Sequence, residues 1–135
     1  MKVTTSIGEN ITLEVGDENT GSDILLTVSV SSDGYSANDT FWVLKEMWYD
    51  FIKELEMLER ERQGQALLKS IVPDELKLRL YSTNHAGHIA IEVDMTHEKE
   101  VGTELKPLHL MCSFSLSSEH FRDIVDGFQQ LVRAG

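Results

Sequence analysis

The sequence predicts an α+β domain, with a largely antiparallel sheet of about six or seven strands and two amphipathic helices packed together on its apolar face. Three observations carry that expectation. Most segments alternate apolar and polar residues between turn-forming clusters, which is the period of a half-buried strand. Twice the period lengthens to that of a helix. Finally, 135 residues suffice for one hydrophobic core and would leave two cores undersized, so residues 1–135 are expected to fold as a single domain. The 41% hydrophobic and 26% charged content is ordinary for a globular chain and argues against disorder.

Taking the elements in order, residues 7–15 place Ile11, Leu13 and Val15 on one face and Thr12 and Glu14 on the other. The polar run Gly16-Asp17-Glu18-Asn19-Thr20-Gly21-Ser22-Asp23 reads as a connection. Ile24, Leu26, Val28 and Val30 then share one face of a second strand ending near residue 31. Ser32-Asp33-Gly34 is a turn signal, after which Tyr35 to Val43 returns as a third strand, with Phe41 and Val43 inward and Trp42 outward. From Leu44 the pattern changes: Trp48, Phe51, Ile52, Leu55 and Leu58 line one side of a helix that is expected to end near Gly64.

A short strand is expected within Gln65 to Ile71, and Pro73-Asp74 separates it from a longer one over Glu75 to Thr83 that turns Leu76, Leu78 and Leu80 inward. The loop Asn84-His85-Ala86-Gly87-His88 leads to a strand with Ile89, Ile91, Val93 and Met95 on the core side. With Ala86-Gly87 at the hairpin centre, Leu80 faces Val93, Arg79 faces Asp94 and Tyr81 faces Glu92. Residues 97–107 read as a charged loop. Leu108, Leu110, Cys112, Phe114 and Leu116 then mark the inward face of a last strand. Ser117 or Ser118 caps a final helix whose apolar side carries Phe121, Ile124, Val125, Phe128, Leu131 and Val132.

The two strand-to-helix units align at an offset of 73 positions, which pairs Phe41 with Phe114, Val43 with Leu116, Trp48 with Phe121 and Leu55 with Phe128. This is the pattern of an internal pseudo-repeat. It is also what any strand followed by a packed amphipathic helix selects.

Acidic residues outnumber basic ones 23 to 12, giving a formal charge of −11 that repels a phosphate backbone, so direct nucleic-acid binding is not expected. No apolar run is long enough to span a bilayer, and the start Met1-Lys2-Val3-Thr4-Thr5-Ser6 lacks the apolar core of a signal peptide. A single cysteine, Cys112, cannot close an internal disulfide. A cytoplasmic protein without membrane contact is expected.

Nothing in the chain names a catalytic apparatus or a cofactor. It contains no G-x-S-x-G, phosphate-binding loop, dinucleotide fingerprint or H-E-x-x-H. Cys112 alternates with Leu110 and Phe114, so it reads as packing rather than as a nucleophile paired with His109 or His120. His85 and His88 straddle a turn, with Asp94 and His97 at the far end of the same hairpin, a separation of about 20 Å at strand rise that opposes a shared metal site. Glu92 and Asp94 have the spacing of an acid–base pair, but Arg79 and Tyr81 opposite them supply a simpler account as a cross-strand network. Trp42 is the more informative residue, since alternation turns its indole away from the core. With Tyr81, Glu92 and Asp94 it makes up the candidate partner-binding set.

The stretch Ser70-Ile71-Val72-Pro73-Asp74-Glu75-Leu76-Lys77-Leu78-Arg79-Leu80-Tyr81-Ser82-Thr83, followed by Gly87-His88-Ile89-Ala90-Ile91-Glu92, resembles a family of small bacterial proteins. That family includes uncharacterised members and the WapI-type immunity proteins of polymorphic toxin systems. The resemblance extends to the strand-helix segment Phe41 to Leu58 and the closing helix Ser117 to Leu131, covering most of residues 24–132. Its motifs are structural, so no functional residue is carried over. Departures concentrate in residues 1–23 and 97–107. The resemblance implies a non-enzymatic protein that binds and neutralises a cognate toxin. On charge grounds a basic nuclease would suit as that toxin. The alternatives are a self-associating domain forming a homodimer and a small-ligand or metal-binding domain centred on the His85-His88 hairpin.

Overall fold

The computed structural model describes residues 2–4, 9–15 and 23–134. In chain order these form β1 (Lys2–Thr4), β2 (Glu9–Val15), β3 (Asp23–Ser32), β4 (Tyr35–Leu44), α1 (Lys45–Glu61), β5 (Gln65–Lys69), β6 (Leu76–Ser82), β7 (Ile89–Val101), β8 (Glu104–Leu116) and α2 (Ser118–Ala134). The α+β class is as the two periods predict. The connection over residues 16–22, residues 7 and 8, and the side chains of Val15, Leu131 and Val132 lie outside what is described.

The strands form two antiparallel sheets, ordered β1-β2-β3-β4 and β5-β6-β7-β8, instead of the single sheet that alternation alone suggests. The break falls where no tight turn joins successive strands, since α1 separates β4 from β5. α1 carries the chain from the end of β4 to the start of β5, and what joins β4 to the segment after β5 is a backbone hydrogen bond from Ile71 N–H to the Trp42 carbonyl, 2.8 Å. Each sheet has one apolar face, and both faces drain into one contiguous buried cluster with the helices. Phe41 and Val43 enter it from β4, Leu78 and Leu80 from β6, Ile91 and Val93 from β7, and Phe114 and Leu116 from β8. α1 adds Trp48, Phe51, Leu55 and Leu58; α2 adds Phe121, Ile124, Val125 and Phe128. Phe128 packs between the helices, 5.4 Å from the Trp48 ring and 5.0 Å edge-on from Phe51. The strand-helix offset noted in the sequence falls on these packed positions, and packing demand is a sufficient cause for it.

Ser117 caps α2, its Oγ accepting the His120 N–H at 3.0 Å. α1 ends earlier than Gly64. Arg62 takes the left-handed position (φ 58°) and donates its N–H to the Leu58 carbonyl at 2.8 Å. A non-glycine residue is held there because its guanidinium Nε donates to the Glu59 carbonyl at 3.0 Å and stacks 5.3 Å over Phe121.

The β6–β7 hairpin also departs from expectation. Asn84 Oδ1 accepts the Ala86 N–H at 3.0 Å, and Thr83 N–H bonds the His88 carbonyl at 2.8 Å. The turn is therefore Asn84-His85-Ala86-Gly87, with Gly87 left-handed at φ 83°. Centring the turn on Asn84's side chain shifts the register by two residues: Leu80 faces Ile91, Arg79 faces Glu92 and Tyr81 faces Ala90. An even shift preserves which face is buried but exchanges every cross-strand partner.

Residues 97–107 are not a loop. β7 and β8 pair continuously from Ile89↔Leu116 to Val101↔Glu104 around the two-residue turn Gly102-Thr103, with Gly102 at φ 65°. β6 covers β7 only as far as Met95, so the rest projects as a two-stranded arm in which every residue from His97 to His109 is exposed. Leu108 consequently stands in solvent, while Leu110 and Cys112 are half-buried against the edge of the cluster. β1 has only three residues, too few to display a period. No helix among the described residues is long and apolar enough to cross a membrane.

Candidate interaction site

Strand parity sets what the outer face of the second sheet presents. Arg79 and Glu92 stand opposite each other, as do Lys77 and Asp94, and Asp94 is also opposite Met111. Glu92 accepts from Arg79 Nε at 3.2 Å and has Lys77 Nζ at 3.9 Å, and its side chain is 15% exposed. The Arg79 guanidinium lies 4.0 Å over the Tyr81 ring and donates to Gln65 Oε1 at 3.3 Å. Asp94 Oδ1 meets His109 Nε2 at 2.6 Å. Of the candidate set, the structure thus brings Tyr81, Glu92 and Asp94 onto one face. Two of them are tied together through Arg79. The charge of Glu92 is met by two cations and Asp94 is hydrogen-bonded to an imidazole, an arrangement that fixes side-chain positions.

Trp42 belongs to the first sheet. It points outward between Thr40 and Leu44, opposite Leu25 on β3, and is 40% exposed. The outward indole follows the alternation around buried Phe41 and Val43, but it does not join the face that carries Tyr81.

The imidazoles are dispersed. Those of His85 and His88 lie on the exposed turn, where Asn84 Nδ2 is 2.8 Å from His88 Nδ1. His97 Nδ1 is 3.3 Å from Asp39 Oδ2 on the other sheet. Among the described residues no group of three or more His, Cys, Asp or Glu side chains could hold a metal ion.

Two clefts flank the root of the arm. One, of about 430 Å³, is lined by Ala37 and Asp39 of β4, Met95 and His97 of β7, and Leu108 and Leu110 of β8, so both sheets contribute. The other, of about 420 Å³, borders the outer face beside Lys69, Asp74, Lys77, Asp94 and His109. Both are lined by apolar and polar residues together, a mixture that suits protein side chains. Asp39 was not singled out by sequence reasoning; its position next to His97 depends on the packing of one sheet on the other, which no local pattern encodes.

No curated protein and no solved structure matches the chain significantly. A family model does, the immunity protein WapI-like family, over residues 5–134. The match takes in residues 97–107 and, from residue 5 onward, the stretch 1–23, the two segments in which the sequence motifs depart. With nearly the whole length accounted for, the chain belongs to the WapI-like immunity protein family.

Proposed function

We propose that this chain is a non-enzymatic cytoplasmic immunity protein that binds one cognate toxin and neutralises it by covering the toxin's active site. The observation that carries the reading is the family match over residues 5–134. The formal charge of −11 supports a basic partner, with a nuclease as the favoured class, because an enzyme that binds a polyanion presents a cationic surface. Residues 1–135 act as one folded unit in this reading. Tyr81, Glu92 and Asp94 contribute from the outer face of the second sheet, and Trp42 from the first. Glu92 acts there as a positioned hydrogen-bond acceptor, its charge already met by Arg79 and Lys77, while Asp94 is held in place by its hydrogen bond with His109.

The test is co-purification of the tagged protein with each toxin domain encoded beside it, at low and high salt, together with survival of cells expressing that toxin. A specific, protective and salt-sensitive complex is expected. Survival no better than that of cells lacking the protein would remove the reading.

A further inference from the structure

We infer that the outer face of the β7–β8 arm is the docking strip for the toxin, and that its occupant is a basic protein surface in which cationic side chains border an apolar patch. This inference rests on the immunity reading and assigns it a surface.

The arm is costly to leave bare. A two-stranded ribbon that extends past its sheet buries nothing on either side and is marginal by itself. Its solvent-facing residues would be polar if solubility were the only demand. Instead, Leu105 is 61% and Met111 58% exposed, and they share one face with Pro107. Register sets an acidic row directly alongside them: Glu100 is opposite Leu105, Glu98 opposite Pro107 and Asp94 opposite Met111. Glu98 and Glu100 have no ion pair among the described residues. The arm's lysines, Lys99 and Lys106, stand opposite each other on the reverse face, where Lys106 Nζ meets Glu104 at 2.7 Å. The reverse face is apolar too, with Val101 and Leu108 exposed there, but it carries the lysines; the outer face is the one that sets its apolar residues beside the unpaired Glu98 and Glu100.

Charge chooses the occupant. A polyanion is repelled by Glu98 and Glu100, and a second copy of this chain would bring the same acidic stripe and another −11 formal charge. A cationic protein surface gains from both stripes, the acids steering it in and the apolar row excluding water once it is seated.

The experiment uses the intact protein and an active-site-inactivated form of each toxin domain encoded beside it. Three proteins are compared: wild type, Glu98→Lys/Glu100→Lys, and a shortened arm lacking Glu98–Val101 and Glu104–Pro107, in which Gly102-Thr103 joins His97 to Leu108. None of the removed residues is buried, so the thermal midpoint should hold. The charge reversal is expected to weaken binding about 10-fold or more at low salt, chiefly by slowing association, with a smaller effect at high salt. The shortened arm is expected to lose about 100-fold or more. A folded shortened variant that binds within about two-fold of wild type overturns the docking strip while the immunity reading stands. Wild type that binds no toxin domain and gives no protection removes both. Loss of a wild-type dimer on shortening, with toxin binding intact, overturns the inference in favour of a second copy as occupant.

Discussion

At Gly87 the backbone holds φ +83°, and a Cβ built there would stand 2.8 Å from the Cβ of Arg62. Gly87→Ala therefore meets left-handed strain and a clash with the residue that ends α1, and is expected to cost about 1–3 kcal/mol of unfolding free energy measured by urea titration. Ser70 gives a second residue-scale prediction. Its buried hydroxyl donates to the Val72 carbonyl at 2.7 Å and accepts the Leu76 N–H at 3.0 Å, so Ser70→Ala leaves a buried amide unmatched. About 1–3 kcal/mol should be lost in the same assay. The sequence exposes the first of these sites and hides the second. A glycine in a hairpin loop announces a special conformation, whereas Ser70's role depends on two backbone groups that meet only after the turn at Pro73-Asp74 has formed. The candidate set divides along the same line. Trp42, Tyr81, Glu92 and Asp94 were assignable to outward faces by parity. Their partners were not, because Asn84's side chain moves the hairpin centre and pairs Arg79 with Glu92.

Elements that touch the core were legible; those that do not were hidden. α1, α2, β3, β4 and β6 repeat apolar residues at the periods that burial imposes. The arm has no core to satisfy, so Thr96-His97-Glu98-Lys99-Glu100 carries no apolar alternation and reads as a loop. The division into two sheets was hidden for a related reason: one-faced strands look alike whether their apolar sides line one sheet or two. This contrast has a measurable form. Phe128→Ala empties the position between Trp48 and Phe51 and should cost about 3–5 kcal/mol. Leu105→Ser on the arm should change stability by no more than about 0.5 kcal/mol, because its side chain is already in water. Equal losses would contradict the division into core and projecting arm.

For the whole molecule, one contiguous buried cluster spans both sheets and both helices, so heat or urea should unfold the chain in a single transition, with fluorescence and far-UV dichroism coincident. Two separated transitions would contradict a single unit. The family resemblance was legible in the sequence because its strands, proline turn and helices fill most of the chain; the partner was not, since neither charge nor fold specifies which toxin fits. Titrating active toxin with the purified protein tests the central claim most directly. Stoichiometric occlusion predicts that toxin activity falls in proportion to added protein and reaches zero near equivalence, with recovery when the complex is dissociated. Complete inactivation by a small fraction of an equivalent would indicate catalysis, and undiminished activity at excess would mean no neutralisation; either result contradicts the account.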